Sequence, residues 1–95
     1  VARVDCPMED GYPVCNTVLN ERYCWDFSNS QAAPGREIEI YRYFTAIEES
    51  PEFYLDSQTP EVCLTPIRSG RGLARLEVRD DMGGLGLIDF YNETL

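Results

Sequence analysis

Apolar and polar residues alternate most cleanly towards the C-terminus. Ala74, Leu76 and Val78 interleave with Arg75, Glu77 and Arg79, a period of two that puts each set on its own face of an extended strand. Asp80-Asp81-Met82-Gly83-Gly84 follows, and its glycines accept the positive φ of a tight turn. Leu85 to Tyr91 then returns, with Ile88 and Phe90 on one face and Leu87, Asp89 and Tyr91 on the other. Leu, Ala, Arg and Glu are also helix formers, so a helix over Leu73 to Asp81 capped at Gly83 competes. The unbroken alternation favours the hairpin.

Gly11 to Leu19 reads as a strand, Asn20-Glu21 as a turn, and Arg22 to Phe27 as a returning strand of aromatic and cysteine residues. Ser28 to Gly35 is a loop by composition, closed by Pro34-Gly35. Over Arg36 to Ser50 both periods fit. As a strand, Ile38 and Ile40 oppose Glu37, Glu39, Tyr41 and Tyr43; as a helix, Ile40, Tyr43, Phe44 and Ile47 form one stripe. A strand to about Phe44, followed by a turn or short helix, satisfies both. Ser50-Pro51-Glu52 reads as a helix start good for a turn or two, since Thr59-Pro60 interrupts. Val62 to Thr65 is strand-like and ends at Pro66. The pattern predicts a mainly β domain: a small antiparallel sheet or β-sandwich with at most one short helix, an α+β arrangement being the alternative.

Length changes this picture little. Ninety-five residues without repeat or long linker imply a single domain over 1–95 with one core. At that size the margin of burial over chain entropy is thin, so cross-links matter. The four cysteines, Cys6, Cys15, Cys24 and Cys63, are separated by eight, eight and thirty-eight residues. There is no Cys-x-x-Cys and no histidine, so zinc and thioredoxin-type readings lack their ligands and spacing. Two disulfides in an oxidising compartment are the better account, against free buried thiols in a cytosolic protein. Of the three possible pairings, the one expected is Cys6–Cys24 with Cys15–Cys63, which ties the N-terminal region to the body of the domain. A chain that opens at Val1 without a leader reads as a mature, secreted product, or equally as an artificially bounded one.

The formal charge is −9, from 17 acids against 8 bases. A field of that sign disfavours nucleic acid and anionic membrane surfaces as partners, and acidic charge also simply confers solubility. All the bases are arginine. A lysine-free chain offers no side-chain amine to ubiquitin, which suits passage through a host cytosol; codon bias is the simpler cause. Asn92-Glu93-Thr94 is a glycosylation triplet, of a kind that arises readily by chance.

Candidate sites are few. Arg68, Arg71, Arg75 and Arg79 put half of the positive charge into twelve residues, as an anion or partner-docking patch or as cross-strand pairs with acids such as Glu37, Glu39 and Asp89. Tyr12, Tyr23, Trp25, Phe27, Tyr41, Tyr43, Phe53 and Tyr54 exceed what so small a core must bury, so Trp25 joins the arginines as a candidate anchor. Asp80 and Asp81 lack the ligand spacing of a calcium loop and read as turn residues. Neither Glu37/Glu39 nor Glu48/Glu49 gains acid–base chemistry from adjacency, and no serine has a histidine partner. The expectation is therefore a small secreted, non-enzymatic protein-interaction module, such as a microbial effector, toxin subunit or inhibitor. It would be monomeric, bind another protein and need no cofactor. A small secreted hydrolase or nuclease using carboxylates and arginine is the alternative.

Overall fold

A computed structural model of the chain describes residues 1–46 and 53–95. It is mainly β, with no helix among the described residues. The strands are β1 (Met8–Glu9), β2 (Tyr12–Thr17), β3 (Tyr23–Asp26), β4 (Ile38–Ala46), β5 (Phe53–Ser57), β6 (Glu61–Leu64), β7 (Gly70–Asp80) and β8 (Leu85–Thr94). Six form one sheet in the order β1-β2-β8-β7-β4-β5, and β3 pairs with β6 as a separate two-stranded sheet. The expected mainly β fold with two disulfides is what the molecule adopts. The Glu48/Glu49 pair and the Ser50-Pro51-Glu52 helix start lie outside the described residues. The one or two helical turns expected to follow that start are instead strand β5.

The β7–β8 hairpin forms as the alternation requires, with Arg79 opposite Leu85 and Gly70 opposite Thr94. Its turn is organised by Asp80, whose Oδ1 accepts hydrogen bonds from the Met82 and Gly84 amides at 2.8 and 2.7 Å. Gly83 takes φ +84°. Asp80 thus acts as a turn residue, its Oδ1 spent on backbone amides and its Oδ2 facing the Arg36 guanidinium at 3.4 Å.

The other expected hairpin does not form. β2 and β3 do not pair; β2 runs parallel to β8, and β3 runs antiparallel to β6. Asn20 sits at φ +64°, and the chain leaves the large sheet there to cross its face. Polar turn residues such as Asn20-Glu21 mark a change of direction equally well for either path. The cysteine pairing changes with the topology. The disulfides are Cys6–Cys15 and Cys24–Cys63, so the expected Cys6–Cys24 and Cys15–Cys63 bridges are corrected. Cys24 and Cys63 stand directly opposite each other in the β3–β6 register, with Cα atoms 4.0 Å apart. Cys15 lies on the inner face of β2, where Cys6 reaches it across the turn through β1.

One further expectation reverses. A bulge between Ile38 and Ile40 puts these residues on opposite faces, so Ile38 joins Tyr41 and Tyr43 against the core. The core lies between the two sheets. β3 and β6 send Trp25 and Val62 inward, and the large sheet answers with Cys15, Tyr43, Leu76 and Phe90. Tyr43 is the hub: its ring centroid is 5.2 Å from that of Trp25, 6.1 Å from that of Phe27 and 6.0 Å from that of Phe90.

Candidate functional site

The two-stranded cover occupies one face of the large sheet. The opposite face of β7 and β8 carries exposed apolar side chains among charged ones. Reading across the register, Arg71 faces Glu93, Leu73 faces Tyr91, Arg75 faces Asp89, Glu77 faces Leu87 and Arg79 faces Leu85. β4 extends the rows with Phe44 beside Arg75 and Arg42 beside Glu77.

Three of the four clustered arginines therefore lie on this open face, each held by a carboxylate. Arg75 forms a two-pronged pair with Asp89 at 2.7 and 3.2 Å. Arg71 bridges Glu93 and Glu9 at 2.6 and 3.3 Å, and its guanidinium sits 5.7 Å from the Tyr91 ring centroid. Arg79 reaches Glu77, which also approaches Arg42. Arg42 in turn pairs with Asp56 on β5. Cross-strand pairing thus accounts for Arg71 and Arg75, and a pair along β7 for Arg79. Asp89 is a partner as expected, while Glu37 and Glu39 take no part in the described ion pairs. Hydrogen bonding from Arg75 holds the Asp89 carboxyl below its ordinary pKa.

Exposed pairs of this kind add little stability; their consequence is electrical. Arg42, Arg71, Arg75 and Arg79 nearly balance Glu9, Asp56, Glu77, Asp89 and Glu93, in a chain whose formal charge is −9. Almost all of the net negative charge therefore lies elsewhere. Between the pairs, Leu73, Leu85 and Leu87 are exposed, Leu87 by 57%. A shallow groove of about 430 Å³ runs along Phe44, Leu73, Arg75, Leu87 and Asp89.

The remaining two predicted residues are elsewhere. Trp25 is buried, with 3% exposure, so it presents no aromatic face to a protein partner. Its indole Nε1 donates to Asn92 Oδ1 at 2.9 Å, and Asn92 Nδ2 donates to Tyr43 Oη at 2.7 Å. This buried relay occupies the asparagine of the glycosylation triplet, whose side chain is engaged inside the domain. Burial pushes the Tyr43 phenol up to about 12, against smaller opposing effects of Asn92 and Thr45. Arg68 is exposed in the segment between β6 and β7, and it has no ion pair or side-chain hydrogen bond among the described residues.

Arg68 stands at the rim of a second cavity, of about 330 Å³, between the end of the large sheet and the β6–β7 segment. The sequence pattern alone does not single out this place. Its signal is nevertheless present: the inner-face positions that are apolar in mid-strand turn small or polar at Thr17, Thr45, Gly70, Gly72, Asn92 and Thr94. The cluster of potential metal ligands among the described residues is Cys24, Glu61 and Cys63. Two of its three members are joined in a disulfide, which removes the thiolates a metal would need. No protein-family model matches the chain, and no curated protein matches it in sequence.

Proposed function

We propose that this is a secreted interaction module that meets another protein through the open face of β7 and β8. The observation that carries this reading is the composition of that face. Its charges are paired among themselves, its leucines and Tyr91 stand between them, and no second layer of described residues covers them. Interfaces are distinguished by aromatic and arginine enrichment and by few unbalanced charges at their centre. The excess acid elsewhere keeps the chain soluble and steers cationic partners towards it. Two disulfides are consistent with an extracellular protein, and they support secretion.

A non-enzymatic role is supported by the missing parts: the chain has no histidine to serve as a general base, and the carboxylates of Asp80 and Asp89 are engaged by turn amides and by Arg75.

The test is retention of proteins from extracellular fluid on the immobilised domain, comparing Leu73→Asp and Leu87→Asp with Met82→Asp in the β7–β8 turn. All three residues are exposed, so melting temperatures should stay close to that of the parent. The reading expects a protein retained by the parent and the Met82 variant to be lost from both leucine variants. Retention by all four forms would remove the β7–β8 face from the account.

A further inference from the structure

We propose that the cavity at the β6–β7 segment is a binding site for a small amphipathic monocarboxylate, an apolar acid of about ten non-hydrogen atoms. The size follows from the volume of about 330 Å³, taking roughly 30 Å³ for each water-sized group. The chemistry follows from the walls. Trp25, Leu64, Pro66 and Ile67 supply apolar surface, and Gly70 and Gly72 bring no side chain to fill the space. A Cβ built at Gly70 would meet nothing within 4 Å.

The distribution of polar groups around the cavity points to an amphipathic ligand. Inside, they are spent on one another: the Thr17 and Thr94 hydroxyls pair at 2.7 Å, Asn92 holds Trp25 and Tyr43, and Thr45 lies beside the Tyr43 phenol. The mouth differs. Ile67 is 74% exposed there, and Arg68 offers a guanidinium without a carboxylate partner among the described residues, whereas Arg36, Arg42, Arg71, Arg75 and Arg79 each have one. Arg3 and Arg22 also have no ion pair among the described residues, but neither lines this cavity. An apolar body lying on Trp25 beneath Ile67, with its carboxylate on Arg68, matches this distribution. The site is on the covered side of the sheet, so it does not depend on the docking face.

Trp25 is the chain's only tryptophan, which makes its emission a direct reporter. Octanoate, with octanol as the uncharged control, is titrated into the parent and three variants. The parent should show a saturable change with octanoate. Arg68→Gln should weaken octanoate by about tenfold, the scale of one hydrogen bond to a charged group, and leave octanol unchanged. Ile67→Ser, at an exposed position, should weaken both. Gly72→Val should abolish both by filling the cavity, with melting temperature as the check on folding. If Gly72→Val fails to fold, amide shifts of the parent decide: movement of Leu64 to Gly72 on adding octanoate supports the site. Absence of saturation, an equal response in Arg68→Gln, or shifts confined to Leu73–Leu87 on the outer face would overturn it.

Discussion

Single residues carry the least expected part of the structure. Asn92, in the sequence one member of a glycosylation triplet, is 8% exposed and joins Trp25 to Tyr43. Asn92→Ala would leave an indole N–H and a phenol without their buried partner. The expected loss is about 2–4 kcal/mol, measured by urea unfolding. Ionisable residues set the pH limits. Asp26, Asp80 and Asp89 have folded values below the ordinary 3.8. Their contribution is therefore complete above the unfolded pKa and is lost as pH falls through the lowered folded values. Tyr43 works in the other direction. Its folded pKa of about 12 lies above the ordinary 10.0, so its contribution is present below the ordinary value and fades as pH rises through the folded one. Melting temperature against pH should fall at both ends, and Tyr43→Phe should flatten the alkaline limb. An unchanged alkaline limb would place the sensitive group elsewhere.

At the scale of elements, alternation reveals what is local and misses what is not. The β7–β8 hairpin and the division of Ile88 and Phe90 from Leu87, Asp89 and Tyr91 are legible, because period two maps directly onto the two faces of a strand. The partners of β2 and β3 are not. A strand's pattern states which face is buried, not which neighbour it pairs with, and β2 finds β8 across most of the chain. The bulge at Ile38/Ile40 defeats a reading that assumes unbroken alternation. The arginine pairs are half legible: cross-strand pairing follows from alternation, but most of the acids involved depend on register. The cavity is harder still, since it is made by what β7 lacks at Gly70 and Gly72.

The bridges also act on elements. Cys24–Cys63 spans 39 positions and Cys6–Cys15 spans 9, which corresponds to about 4 and about 3 kcal/mol in the chain-entropy model. Three cysteines crowd the first quarter of the chain, which on sequence makes that region the one reduction loosens first. The structure moves the sensitive point, because Cys24 is exposed whereas Cys15 is fully buried. Thiol attack requires access, so limited reductant should open Cys24–Cys63 before Cys6–Cys15. Alkylation and peptide mass mapping at partial reduction would show it, and the reverse order would contradict the burial argument.

For the whole molecule, everything follows from where the β3–β6 cover is fastened. Placed over Tyr43 and Phe90, it roofs the core, borders the cavity and leaves the paired charges and leucines of β7 and β8 uncovered. The cysteine pairing is the covalent record of that arrangement. Because all the basic residues are arginines, trypsin separates the cysteines cleanly. Cys6 and Cys15 share the peptide 4–22, Cys24 lies in 23–36, and Cys63 lies in 43–68. A non-reduced tryptic digest should give 4–22 alone with an internal disulfide, together with 23–36 joined to 43–68. Either other pairing would link all three peptides into one species, and that result would contradict the placement of the cover on which both proposed sites rest.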